Sequence, residues 1–94
     1  MAEGKSLFEL GMVLATPGAI RLMLLSNVQP QHLLKRHVTG DWSEMDAEDQ
    51  TTNHEAIKQG ARIFSAYRVS PTHRIWVITE SDRSATTLLR PEDY

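Results

Sequence analysis

The chain has 94 residues, of which 40% are hydrophobic, and its ten Lys and Arg against twelve Asp and Glu give a net charge of −2. This length accommodates one hydrophobic core, so we expect a single domain over residues 1–94, with residues 1–6 frayed. The charge balance disfavours non-specific binding to nucleic acid or to anionic membranes. Because cysteine is absent, disulfides, thiolate metal sites and cysteine nucleophiles are excluded.

The first residues lack the pattern of a secretory leader, and the apolar stretch 10–15 is far shorter than the roughly 20 residues that span a bilayer. We therefore expect a soluble, cytoplasmic protein. Apolar residues between 7 and 15 fit both a helical and an alternating spacing, so helix and strand both remain open there.

Three helices are predicted next. Thr16 is suited to cap a helix that begins at Pro17 and ends near Ser26 and Asn27. A second helix is expected from Pro30 until Gly40. After a loop over 41–45, a third is expected from Asp46, a good N-cap, to about Gln59, with Gly60 as its stop.

After Gly60 the pattern alternates, which predicts strands at 62–69, 74–79 and 84–89. Residues 70–73 and 81–83 are expected to form the turns between them. We therefore predict an α+β domain in which two to three N-terminal helices pack on one face of a three-stranded antiparallel meander.

Alternation assigns the strand residues to two faces of this sheet. The face expected under the helices comprises Ile63, Ser65, Tyr67, Val69, Ile75, Val77, Ala85, Thr87 and Leu89. The opposite face comprises Arg62, Phe64, Ala66, Arg68, Arg74, Trp76, Ile78, Glu80, Thr86, Leu88 and Arg90. This second face mixes arginines with aromatic residues. Either helices cover its middle while the arginine stems cover apolar surface, or the face binds a partner or a second copy.

Known catalytic patterns are missing. There is no G-x-S-x-G nucleophile elbow and no glycine-rich phosphate loop. His32 and His37 are five residues apart, unlike the i, i+4 pair of a zinc helix, and we interpret the histidines as surface or half-buried residues. We therefore assign no catalytic residue, no metal ligand and no cofactor.

Glu80, Asp82 and Arg83 form the most distinctive polar group, at the end of a predicted strand. Two carboxylates in this position are compatible with a divalent cation, which makes metal-assisted hydrolysis, with Asp41 as a further ligand, one alternative. Asp82 is equally a favoured turn residue, which supports a structural interpretation.

Nucleic-acid binding is a second alternative. Arg36 in the basic run 35–37, together with Arg68, Arg74 and Trp76, provides the cations and the aromatic surface that a stacking platform needs. The net charge of −2 argues against it.

Four stretches, LGMVLATPGAI, LKRHVTGDW, NHEAIKQGARIFSAY and WVITESDRSATTLLRPEDY, resemble a family of small proteins carried by bacterial plasmids, phages and integrated elements. Members are usually labelled hypothetical or plasmid-related, and GDW combined with ITE-x-DRS-x-TT is its distinctive pattern. Arg90 departs from it, since a third leucine is expected there. The resemblance implies a bacterial or phage host and an accessory role on mobile DNA, but no particular activity.

The sequence thus predicts a non-catalytic interaction module from a bacterial mobile genetic element. Its partner is expected to be another protein or a second copy of the chain, and not a membrane. The predicted binding residues are Asp41, Trp42, Arg68, Arg74, Trp76, Glu80, Asp82 and Arg83.

Overall fold

A computed structural model of the protein describes residues 4–94, so the part of the predicted frayed end at residues 1–3 lies outside the described residues. The elements are β1 (Met12–Ala15), α1 (Pro17–Leu25), α2 (Pro30–Val38), α3 (Ala47–Gln59), β2 (Ile63–Arg68), β3 (Arg74–Thr79), β4 (Ala85–Leu89) and a closing 3-10 turn (Pro91–Asp93). The strands form one sheet in the order β1-β4-β3-β2. The predicted α+β class is confirmed.

The predicted three-stranded meander is wrong, because the sheet has a fourth strand, β1, which pairs in parallel with β4. The amide of Met12 donates to the Ser84 carbonyl (2.9 Å) and that of Thr16 to the Leu88 carbonyl (3.0 Å). A local pattern does not reveal this pairing, since the partner strand comes some 70 residues later in the chain. Residues 12–15 therefore adopt the strand alternative that the spacing left open.

The helices begin where local capping chemistry predicts. The hydroxyl of Thr16 accepts a hydrogen bond from the Ala19 amide (3.1 Å), and the carboxylate of Asp46 accepts one from the Asp49 amide (2.9 Å). At the other end of α3, Gly60 takes the left-handed conformation (φ 69°) that favours glycine. Within residues 4–94, no helix has the length and apolarity needed to cross a membrane.

All three helices pack on the same side of the sheet or at its β2 edge. Residues of α1 and α2 form the larger core with the strands, and a smaller cluster lies under α3. The larger core contains Ala19, Met23, Leu33, Tyr67, Ile75, Val77 and Leu88. The smaller contains Trp42, Ala56 and Ile63. We call the opposite side of the sheet, which none of the helices α1 to α3 covers, the open face.

The predicted faces are correct for β2 and β3 and reversed for β4. Thr86 and Leu88 are buried on the helix side, opposite Thr79 and Val77, whereas Thr87 and Leu89 pair with open-face residues of β3. The turn before β4 is the cause. The Glu80 amide bonds to the Ala85 carbonyl, so the turn contains four residues instead of three, and a shift of one residue exchanges the faces of a strand.

Candidate functional site

The sequence-predicted binding residues occupy three separate places. Asp41 and Trp42 lie in the loop between α2 and α3. Glu80, Asp82 and Arg83 lie at the turn between β3 and β4. Arg68, Arg74 and Trp76 lie on β2 and β3, with Arg68 directly opposite Arg74 and Trp76 opposite Ala66. Only this last group forms a continuous surface on the open face.

Asp41 fastens its loop to α2. Its carboxylate accepts a hydrogen bond from Nε of Arg36 (2.7 Å), and the same guanidinium reaches Oε2 of Glu44 (2.8 Å). The hydrogen bond from Arg36 lowers the pKa of Asp41 below its ordinary value. The guanidinium of Arg36 also stacks 4.5 Å from the ring centre of Tyr67. Asp41 and Arg36 therefore fix the α2–α3 loop to α2 and to the Tyr67 ring of β2.

Trp42 is part of the core and offers no surface for binding. Only 1% of the residue is exposed, and its indole packs in the smaller cluster with Ala56 and Ile63. Its Nε1 donates to the carbonyl of His37 (3.1 Å), so the one polar atom of the ring is satisfied. The tryptophan of the GDW motif thus fixes the α2–α3 loop by burial.

Arg83 joins the β3–β4 turn to the end of α3. Its guanidinium donates to the carbonyl of Ala56 (3.2 Å), in the last turn of α3, and to that of Ala61 (2.6 Å), just after the Gly60 cap. Residue 83 has a positive φ of 60°. These contacts give the arginine of the DRS motif a helix-capping function.

The two carboxylates at this turn are already engaged. Oδ1 of Asp82 accepts a hydrogen bond from the Ser84 amide (3.0 Å). Hydrogen bonds from Ser84 lower the pKa of Asp82. Glu80 lies 3.7 Å from Nε of Arg62 in an exposed ion pair. Asp41, the proposed further ligand, is near the other end of β3. Within residues 4–94 no group of three or more His, Asp or Glu side chains is placed to hold a metal ion.

The open face carries three aromatic rings in contact. Trp76 meets Phe64 edge-on with ring centres 5.0 Å apart, and Tyr94 meets Trp76 edge-on at 5.8 Å. Arg62 donates to the hydroxyl of Tyr94 (3.3 Å). Together with Ile78 these residues line a shallow groove of about 270 Å³. We call Phe64, Trp76 and Tyr94 the aromatic cluster.

The closing turn places Tyr94 in this cluster. The carboxylate of Asp93 accepts hydrogen bonds from the hydroxyl of Thr16 (2.6 Å) and from the guanidinium of Arg90 (2.6 Å). These bonds lower the pKa of Asp93 far below its ordinary value, with the Arg90 bond as the larger cause. The chain end is thereby tied to the start of α1. No periodicity in the sequence predicts this contact.

Beside the aromatic cluster, Arg68 and Arg74 face each other across the β2–β3 pair, and both are exposed. Among the described residues, neither guanidinium forms a hydrogen bond or a close ion pair. Glu44 is nearby, but both of its carboxylate oxygens are engaged. Its Oε1 accepts a hydrogen bond from the backbone amide of Arg68 (2.7 Å), and its Oε2 pairs with the guanidinium of Arg36. The two arginines, with Glu44 and Ala66, line an open groove of about 480 Å³.

A buried polar network was not predicted. The imidazole of His37 is hydrogen-bonded to the hydroxyls of Ser65 (2.5 Å) and Thr79 (2.8 Å). The hydroxyl of Thr79 is in turn hydrogen-bonded to that of Thr86 (2.7 Å). His37 is fully buried, and burial lowers its pKa to about 4. Ser65 is also fully enclosed, so it has no contact with solvent through which a substrate could arrive. The network satisfies polar groups in the core.

Comparison with known proteins identifies no matching family model, no matching curated protein and no matching solved structure.

Proposed function

We propose that the chain is a non-catalytic protein-interaction module, from a bacterial mobile genetic element, that binds its partner on the open face of the sheet. The observation that carries this proposal is the arrangement around Trp76. Aromatic side chains lie beside two arginines on a sheet face that none of the helices α1 to α3 covers. Tryptophan and arginine are the residue types most often found at the energetic centre of protein interfaces.

The pairing of Arg68 with Arg74 supports a binding role. Like charges directly opposite on neighbouring strands destabilise a sheet, yet both guanidinium groups lie exposed without a hydrogen-bonded carboxylate among the described residues. An anionic group of a partner, placed between them, would relieve this repulsion. Arginine is especially suited to this task because it binds a carboxylate through two parallel hydrogen bonds.

The chemistry of the face suits a particular kind of partner. One acidic side chain would bind between Arg68 and Arg74. An apolar or aromatic side chain about two strand residues further along would pack on Trp76, in the groove that it shares with Phe64 and Tyr94. We expect an acidic and apolar protein segment in extended or helical form, bound with modest affinity because the surface is shallow.

Selection of displayed peptides tests this proposal. The wild-type chain is used as bait, and Arg74→Ala/Trp76→Ala serves for counter-selection. Arg21→Ala is the matched control, since Arg21 is exposed on α1 and away from the open face. We expect peptides that combine acidic and apolar residues, that bind wild type and Arg21→Ala equally, and that lose binding to the double variant.

The double variant must keep its fold for this result to count. Trp76 is partly exposed and Arg74 is exposed, so its melting temperature should fall by only a few degrees, about 5 °C. Peptides that bind the folded double variant as well as they bind wild type would place the binding surface elsewhere. Recovery of no face-dependent peptide would contradict the proposal.

Single-stranded nucleic acid is the second candidate, because Phe64 and Trp76 lie on adjacent strands beside arginines, as in sheets on which bases stack. A fluorescently labelled single-stranded oligonucleotide would distinguish the two. Affinity that falls steeply with salt and depends on Trp76 would favour this alternative. We expect no such binding, given the net charge of −2.

A further inference from the structure

Strand β1 forms one edge of the sheet, with β4 as its single neighbour. The amides of Met12 and Thr16 point toward β4. Because successive residues of a strand alternate, the backbone N–H and C=O groups of Val13 and Ala15 point away from the sheet. Within residues 4–94, no other strand pairs with this row of backbone groups.

The opposite edge of the sheet, β2, is closed by side chains. Asn53 of α3 donates to the Phe64 carbonyl (2.7 Å) and accepts from the Phe64 amide (3.2 Å). At the end of the strand, the carboxylate of Glu44 accepts a hydrogen bond from the Arg68 amide (2.7 Å). Side chains thus occupy the outward backbone groups of Phe64 and the amide of Arg68, which protects both ends of this edge.

By contrast, β1 is protected neither by charge nor by proline, and its length of four residues is its one protective feature. Its sequence, MVLA, contains no charge and no proline. Its three large side chains are exposed, at 66% for Met12, 47% for Val13 and 46% for Leu14. An uncharged, apolar and unpaired edge of this kind is a template for strand addition.

We propose that β1 pairs antiparallel with β1 of a second copy of this chain, forming a two-fold symmetric dimer with one continuous eight-stranded sheet. The two-fold axis passes through the pair formed by Val13 and its symmetry mate. In this register Met12 of each copy lies opposite Leu14 of the other, on the open face. Every large apolar residue of β1 then has an apolar neighbour across the interface.

The absence of charge on β1 favours a second copy over a foreign strand. An edge without charges offers a foreign partner nothing to recognise by charge complementarity, whereas two copies meet with no like-charge repulsion. Antiparallel pairing about a two-fold axis is also self-complementary by symmetry. The contact is one strand long, which places the interface at the low end of the size range and predicts a dissociation constant in the micromolar range.

Cysteine trapping tests the register directly, because the natural chain contains no cysteine. Opposed residues of a hydrogen-bonded antiparallel pair have Cα atoms about 5.5 Å apart, which suits a disulfide. We expect Val13→Cys to form a disulfide-linked dimer under mild oxidation at protein concentrations of tens of micromolar. A mixture of Met12→Cys with Leu14→Cys should form the mixed dimer in preference to either self-linked one.

Thr51→Cys, exposed on α3, measures the rate of random cross-linking, and we expect Val13→Cys to react at least ten-fold faster. In sedimentation velocity, wild type should show a concentration-dependent dimer, and Val13→Arg should be monomeric with an unchanged circular dichroism spectrum. Equal cross-linking rates, or a wild type that stays monomeric at several hundred micromolar, would overturn the proposal. Val13→Cys/Trp76→Ala should cross-link as fast as Val13→Cys alone, which separates this test from that of the open face.

Discussion

Asn53 and Phe64 are joined by two hydrogen bonds in which one amide side chain both donates to and accepts from one backbone residue. Asn53 is buried on α3, whereas Phe64 belongs to the outer strand β2. One side chain therefore attaches the helix to the sheet and, at the same position, occupies the pairing groups of the strand edge. This explains why a mostly polar helix has a buried asparagine.

We expect Asn53→Ala to lower the free energy of unfolding by about 2 kcal/mol, because both Phe64 backbone groups lose their partner in a partly buried place. The melting temperature should fall by about 10 °C. Urea denaturation followed by circular dichroism measures this change. Thr52→Ala, at an exposed position of the same helix, should stay within about 0.5 kcal/mol of wild type. Equal effects of the two substitutions would contradict the assigned role of Asn53.

The helices could be predicted because their signals are local. Thr16, Asp46 and Gly60 each act within one turn of their own residue, and the structure places all three as caps. The sheet could be predicted only in part. The pairing of β1 with β4 depends on contacts distant in sequence, and the face of β4 depends on a single additional turn residue.

For the predicted binding residues, the sequence did not distinguish burial from exposure. Trp42 lies among polar residues of the sequence and Trp76 among apolar ones, yet Trp42 is enclosed under α3 and Trp76 lies on the open face. Arg83 and Arg74 differ in the same way, since Arg83 caps a helix and Arg74 remains exposed. Only the packing of α3 and the final turn decides between these roles.

Substitution of the two tryptophans should therefore have unequal effects. Trp42→Phe removes the hydrogen bond to the His37 carbonyl and leaves a void in the smaller core cluster, which should cost about 2 kcal/mol. Trp76→Phe should cost less than about 1 kcal/mol, because its ring is partly exposed. Chemical denaturation of both variants checks this order. A larger loss at Trp76 would mean that the open face is a structural surface.

Reversal of one charge in the arginine pair should stabilise the fold. Arg74→Glu replaces a like-charge pair with an opposite-charge pair to Arg68, so we expect a gain of about 0.5 kcal/mol in the free energy of unfolding at low salt. The same variant should lose binding of acidic peptides. Arg21→Glu, on the exposed side of α1, is the control for the change in net charge. Equal stability changes in the two variants would show that Arg68 does not interact with residue 74.

At the β3–β4 turn we expect a structural role to dominate. Arg83→Ala removes the bonds to the Ala56 and Ala61 carbonyls and should cost about 1.5 kcal/mol. Added Mg²⁺ or Mn²⁺ should leave the melting temperature of wild type unchanged, because Asp82 is engaged with Ser84. A thermal shift with either cation that disappears in Asp82→Asn would instead support the metal-assisted hydrolase.

The burial of His37 should make the fold sensitive to mild acid. Its pKa is lowered from 6.5 to about 4 by burial, so the unfolded chain takes up a proton at a higher pH than the folded one. The stability that the neutral ring contributes is fully present above pH 6.5 and is lost as the pH falls from 6.5 toward 4. Between pH 7 and pH 5 the free energy of unfolding should fall by about 2 kcal/mol. Urea denaturation at these two values measures it, and His37→Gln should show a distinctly smaller difference. An equal difference in that variant would assign the acid sensitivity to other groups.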